Sequence, residues 1–235
     1  ARRRRARPRG RRHAVGRHLR LPVSRFVRRS TPVRSAGRPW ARAGRPGGGR
    51  GPRGNFNSPY YLHINGGTIV VDAEGDGLDS NGSIAMTNGT VIVNGPTRNG
   101  HGALDYDGGF NMTGGLIIAA GSAGMPQTPD ETSTINSVLI NFDAPLAAGT
   151  LVYIQTSDGE PVLTFAPTKT FQSIAFSSPE LVTGGTYEVY TGGSASGTAT
   201  DGVYQDKPAS PGDLYTSFTI SSTVTWLGQV RRGWW

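Results

Sequence analysis

Leu62-His-Ile-Asn-Gly-Gly-Thr-Ile-Val-Val71, Ile84-Ala-Met-Thr-Asn-Gly-Thr-Val-Ile-Val93 and Phe110-Asn-Met-Thr-Gly-Gly-Leu-Ile-Ile-Ala119 align without a gap. Equivalent positions form four columns, Leu62/Ile84/Phe110, Ile64/Met86/Met112, Ile69/Val91/Ile117 and Val71/Val93/Ala119, and every member is apolar. Within a segment the columns fall two residues apart on either side of a glycine corner at Gly67, Gly89 or Gly115. That pattern describes two short strands meeting at a bend. The links repeat as well: Gly77-Leu-Asp-Ser-Asn-Gly82 matches Ala103-Leu-Asp-Tyr-Asp-Gly108, giving a first unit of 22 residues and a second of 26. One unit cannot close a core, but stacked copies can, like on like at a strand spacing of about 4.8 Å. The repeat therefore predicts an all-β chain whose residues 55–125 form coils of a parallel β-helix. Helices fail because glycine and β-branched residues fall inside every candidate. A propeller blade needs roughly 40 residues per repeat. With fewer than three full coils the stack is truncated, so it needs more coils or a cover.

Alternating apolar runs return at Val138–Phe142, Leu151–Ile154, Val162–Phe165, Phe171–Phe176, Tyr187–Tyr190 and Phe218–Ile220. Turns are expected at Asp158-Gly159, Thr183-Gly-Gly185 and Pro211-Gly212. Residues 126–228 thus read as five or six strands completing the same domain, a final coil followed by C-terminal antiparallel β-strands. The stretch from Gly192 to Gly212 is expected to be an exposed loop, and residues 229–235 a tail.

Charge divides the chain unevenly. Residues 1–54 hold 19 Arg, no Lys and no acid, which leaves 5 basic residues against 16 acidic ones in the remainder. The leader has no apolar face and is expected to be disordered. It reads as non-native sequence, such as a GC-rich gene translated in the wrong frame, as a solvated linker, or as a basic tail for phosphate. The acidic remainder is not expected to bind nucleic acid, and no apolar run is long enough for a membrane span. Absence of cysteine excludes disulfides, thiolate metal sites and cysteine nucleophiles.

Stacking the links would place Asp79 one rung from Asp105 and Asn81 one rung from Asp107. Carboxylates so close repel unless a cation or water intervenes. Calcium suits such oxygen donors, with Asp76 and Asn99 at neighbouring turns and further oxygens from Asp72 and Glu74. The other reading is a set of Asx turns satisfying corner backbone groups. Asp72-Ala-Glu-Gly-Asp-Gly77 imitates an EF-hand opening, but Ser83 stands where its bidentate glutamate belongs. His63 is expected to point outward from a strand, whereas His101 sits in a loop beside the acidic turns and is a candidate ligand contact. Arg98 is the only basic residue among the repeats. It is placed either to clamp a sugar carboxylate or to act as a Brønsted base, or it is a solvated loop residue. Tyr60, Tyr61, Tyr106 and Trp226 are candidate stacking aromatics. No GxSxG, Walker or HExxH pattern occurs. The sequons at Asn81, Asn88 and Asn111 lie at repeat corners.

Gly75-Asp-Gly-Leu-Asp-Ser-Asn-Gly82, Asn99-Gly-His-Gly-Ala-Leu-Asp-Tyr-Asp-Gly108, Asn136-Ser-Val-Leu-Ile-Asn-Phe142 and Thr198-Ala-Thr-Asp-Gly-Val-Tyr204 give residues 57–228 a family resemblance. The chain resembles the bacterial carbohydrate-binding proteins built on a right-handed parallel β-helix related to pectate and other polysaccharide lyases. That resemblance implies an extracellular or cell-surface protein binding cellulose or acidic sugars such as polygalacturonate, with calcium at the acidic turns. Asp79, Asn81, Asp105 and Asp107 match the family's acidic-turn motif. The family's several N-terminal coils are lacking before Tyr60, where the arginine leader lies.

Three functions follow as expectations. The first is a non-enzymatic, calcium-stabilised glycan binder, with Asp76, Asp79, Asn81, Asn99, Asp105 and Asp107 at the metal and Arg98, His101 and Tyr106 at the sugar. The second is a lyase using calcium-assisted β-elimination with Arg98 as base. The third is a structural surface or adhesion protein.

Overall fold

The structure, a computed structural model, describes residues 60–205 and 209–228. The expected leader over residues 1–54 and the tail over 229–235 lie outside the described residues. Thirteen strands make up the described chain, with no helix among the described residues. They are β1 (Tyr61–Asp72), β2 (Leu78–Ser80), β3 (Ser83–Asn94), β4 (Leu104–Tyr106), β5 (Gly109–Met112), β6 (Leu116–Gly121), β7 (Ser137–Leu146), β8 (Val152–Thr156), β9 (Pro161–Phe165), β10 (Phe171–Ser177), β11 (Thr186–Ala195), β12 (Ala209–Thr219) and β13 (Val224–Leu227).

The repeat sets the register of the first half. β1 pairs parallel with β3, and β3 with β5 and β6, joining Leu62 to Ile84 to Phe110 and Ile69 to Val91 to Ile117. All four apolar columns are direct partners. Gly67, Gly89 and Gly115 share φ values of 79°, 105° and 97° at the corners, a conformation that glycine alone adopts without strain. β2 and β4 form a second parallel ladder, pairing Leu78 with Leu104 and Asp79 with Asp105. A further stretch lies on β5, where Asp130 N donates to Phe110 O and Thr134 N to Met112 O. Between these walls Ile84, Met86, Val91, Val93, Leu104, Phe110, Met112 and Ile117 make one core.

A sheet of order β1-β3-β6-β10-β7-β13, with β5 also on β3, carries this core on one face. Its other face carries a second core, in which Ile92, Ile118, Ile140 and Phe176 pack on the antiparallel sheet β12-β11-β8-β9 through Ile154, Phe165, Tyr187 and Val189. Val-Ile-Val93 and Leu-Ile-Ile-Ala119 are unbroken apolar runs because both of their faces are covered.

Two expectations are corrected. Val138–Phe142 is not the next parallel rung: β10 enters between β6 and β7 and runs antiparallel to both. β6 therefore meets a strand from 50 residues onward, with Ile118 opposite Phe176. Pro211-Gly212 is no turn, since Gly212 pairs with Gly192 inside the β11–β12 ladder, which takes in both ends of the expected loop as far as Ala195 and Ala209. β13, which pairs parallel with β7, was not expected as a strand.

Candidate functional site

The β2–β4 ladder holds the acidic turns. Asp79 is exposed and stands opposite the half-buried Asp105. Asn81 and Asp107 follow in step, because Asp107 N donates to Ser80 O at 3.2 Å and Gly108 N to Gly82 O at 2.9 Å. Asp105's carboxyl is raised from its ordinary value by burial, then by the negative charges of Asp76, Asp79 and Asp107, with His101 acting weakly the other way. This is the repulsion the repeat implied.

Asp76 lies on the same side but is already engaged. Its Oδ1 accepts from Gly102 N at 2.9 Å, and its Oδ2 lies 3.1 Å from His101 Nδ1. Burial pushes its carboxyl up, but the Gly102 and His101 hydrogen bonds and the His101 charge outweigh that and leave it below the usual carboxylate value. His101 thereby ties the turn at 98–102 to the turn at 75–77. His63 points outward, its ring stacked on Tyr61 with centroids 5.6 Å apart.

The remaining expected residues sit elsewhere. Asn99 lines a separate cleft with Gly124 and Asp143. Arg98 is exposed, forms no ion pair among the described residues, and accepts His101 N at its carbonyl. Tyr106 is turned into the fold: its ring meets Phe110 edge-on at 6.0 Å and its hydroxyl donates to Thr128 O at 2.9 Å. Burial, then the Asp130 charge, pushes that phenol far up. Tyr60 and Tyr61 are the exposed rings nearby, and Tyr60 O accepts Ser83 N directly after the Asn81-Gly82 turn. Trp226, half exposed, lies at the opposite edge of the large sheet on β13.

Asp72 and Glu74 are taken by Lys169, whose Nζ lies 2.5 Å from Asp72 Oδ1 and 2.7 Å from Glu74 Oε1, and donates to Ala73 O at 2.8 Å. Those carboxylates anchor the loop between β9 and β10, a role no local pattern announces. Among the described residues no group of three or more His, Cys, Asp or Glu converges into a metal cage. No helix of the described residues is long and apolar enough to cross a membrane. No protein-family model, curated protein or solved structure matches the chain.

Proposed function

We propose that the protein binds polysaccharide without chemical turnover, and that the parallel strands of residues 55–125 are coils of a short right-handed parallel β-helix whose acidic turns hold calcium. The observation carrying this reading is the in-register Asp79–Asp105 pair, two acidic residues whose backbones lie one strand spacing apart on a parallel ladder. Donor chemistry fits a hard cation in part. Asp79 and Asp105 supply two oxygen ligands, Asn81 and Asp107 stand in step beside them, and water completes the six to eight that calcium takes. Asp76 is less suited because both of its oxygens are already used.

The resemblance at these turns supports a glycan ligand, as does the exposed Tyr61 ring, stacked on His63 near the ladder. Cellulose and polygalacturonate are the two ligand classes, and an extracellular or cell-surface location goes with either. A uronate polymer meets an acidic surface with Arg98 as its one unpaired cation among the described residues, so calcium would bridge the two sets of carboxylates.

The lyase reading rests on that same Arg98, exposed and unpaired beside the turns. In that reading Arg98 would take the proton from the carbon next to a uronate carboxylate, a C=C bond would form as the C–O bond to the neighbouring sugar breaks, and water would protonate the departing oxygen; a bound cation would make the first proton more acidic.

Retention of the full chain on insoluble polygalacturonate and on cellulose, in calcium and then in chelator, tests the proposal. Salt at about 0.5 M suppresses retention by the arginine-rich leader. Calcium-dependent retention without release of an unsaturated product supports binding. An ultraviolet-absorbing product that disappears in Arg98→Ala replaces it with the lyase, and a folded chain retained on neither polymer refutes both.

A further inference from the structure

β1 stands at the edge of the large sheet. Among the described residues it pairs only with β3, so a strand of 12 residues leaves one side of its backbone open. Its inner side chains are open too: Leu62, Ile69 and Val71 are only half-buried, whereas their partners one rung on, Ile84, Val91 and Val93, are 1%, 0% and 0% exposed. Edges of this kind are ordinarily blunted by lysine, by proline or by a charge pointing inward, and Tyr61–Asp72 carries none of these.

The inward and outward positions of β1 are symmetric about the Gly66–Gly67 peptide. Leu62 and Ile64 on one arm, and Ile69 and Val71 on the other, belong to the coil core, while Tyr61, His63, Val70 and Asp72 are exposed. An antiparallel two-fold axis through that corner sets Leu62 opposite Val71 of a second copy, Ile64 opposite Ile69 and His63 opposite Val70, so inner residues meet inner residues. Two such edges joined in parallel by a two-fold axis would turn one copy's inner face to the other's outside. A Cβ on Gly66 or on Gly67 would meet nothing within 4 Å, so the corner on the axis is clear.

The chain before β1 offers no equivalent partner, since no segment of residues 1–59 repeats the four apolar columns around a glycine. Charge favours the antiparallel orientation as well. Tyr61 faces Asp72 in this register, so the end of β1 that the arginine-rich sequence enters meets the end that leads to Asp72, Glu74 and Asp76. A cost comes from β2, which pairs only with β4 and brings the exposed Asp79 toward its own copy. Both carboxylates are exposed, so salt leaves little of that repulsion.

We infer that β1 is the interface of a symmetric dimer, in which two copies of this chain join edge to edge, antiparallel about the Gly66–Gly67 corner, and the two coil cores become one. The inference goes beyond the glycan reading and does not rest on it. Pairing covers the Asn65-Gly66 step, so chemistry that needs room at that corner runs in the dilute monomer.

The chain has no cysteine, which makes the register testable. Sedimentation of the full-length chain at about 0.5 M salt, which suppresses attraction between the leader and the acidic residues, should show a concentration-dependent equilibrium between monomer and dimer. His63→Cys and Val70→Cys each replace an exposed side chain, and the register sets the two opposite each other within the Cα separation of about 4.4–6.8 Å that a disulfide spans. Oxidising a mixture of the two variants should give a crosslinked dimer that is lost when either is oxidised alone, because like positions lie far apart in an antiparallel pair. Monomer at every concentration up to about 1 mM overturns the interface, as does association confined to low salt. A dimer that the mixture fails to crosslink, or that either variant crosslinks as well alone, overturns it too.

Discussion

Asp79 and Asp105 are direct partners across a parallel ladder, so a strand spacing of about 5 Å separates the backbones that carry two carboxylates. Asp105's carboxyl is raised by burial, then by Asp76, Asp79 and Asp107. A raised carboxyl stabilises the fold below the ordinary aspartate value, and that contribution is lost as pH rises through the raised value. At neutral pH without a cation the pair is a liability. Asp105→Asn should therefore raise the thermal midpoint in chelator at pH 7 by about 1–2 °C, as a surface charge change of up to about 0.5 kcal/mol allows. The gain should vanish at about pH 3, below the ordinary aspartate value. Calcium should raise the midpoint of the original chain more than that of the variant. A lower midpoint for the variant in chelator at pH 7 would sink the repulsion argument.

Lys169 reaches 95 residues back along the chain to Glu74, and to Asp72, clasping the parallel half to the loop before β10. Burial lowers its ammonium's tendency to stay charged, but the hydrogen bonds it donates to Asp72 and Glu74, with their negative charges, outweigh that and leave the group above its ordinary value. Stability from this source is full below the ordinary lysine value and lost as pH rises through the raised one. Asp72 and Glu74 are 66% and 89% exposed, so screening keeps the contribution small. Lys169→Met should cost about 1 kcal/mol in urea unfolding at pH 7, shrinking in high salt. No difference at low salt, or one already gone by pH 8, would show that the clasp contributes nothing.

Register was the most legible feature of this chain, because like-on-like columns admit one alignment: the pairings of Ile64 with Met86 and of Met86 with Met112 follow from it directly. Leu78 opposite Leu104 followed by the same logic, and with it the Asp79–Asp105 pair. What covers the outer face was not legible. Ile118 reads as buried on both sides of its strand, but nothing local says that Phe176 of an antiparallel strand lies beside it. Gly193 and Gly212 fall within the expected exposed loop. In the structure, a Cβ on Gly193 would meet Ser210 O at 1.9 Å and one on Gly212 would meet Thr191 O at 2.3 Å, so they permit close backbone approach inside a ladder. Of the site, the Asp79–Asp105 pair was visible in the repeated links, whereas Lys169 reaches Asp72 and Glu74 from 95 residues away and no local pattern announces it.

Val70, Ile92 and Ile118 occupy one outward column of three parallel partners, yet Val70 is 43% exposed while Ile92 and Ile118 are 5% and 0% exposed. The four-stranded sheet covers β3 and β6 and stops short of β1. Ile118→Ala should cost about 2–5 kcal/mol, the range for emptying a packed core site. Val70→Ala should stay within about 0.5 kcal/mol, as for a surface substitution. Chemical denaturation of both variants measures the contrast, and equal losses would mean that the cover extends over β1.

Five Asn-Gly steps occur among the described residues, at Asn65, Asn81, Asn88, Asn94 and Asn99. Attack of the glycine nitrogen on the asparagine side-chain carbonyl carbon expels ammonia and forms a succinimide, which water opens to aspartate or isoaspartate. The backbone must swing to bring these atoms together, so space at the glycine decides the rate. A Cβ on Gly82 would meet Tyr60 O at 2.1 Å, one on Gly89 would meet Gly66 C at 2.9 Å, and one on Gly95 would meet Ala73 O at 2.1 Å, whereas Gly66 and Gly100 have nothing within 4 Å. Parallel neighbours thus lock three of the steps. Incubation at pH 8 followed by peptide mass mapping should find deamidation at Asn65 and Asn99 well ahead of Asn81, Asn88 and Asn94. Equal rates at all five steps would mean that the stacked turns open far more readily than their packing implies.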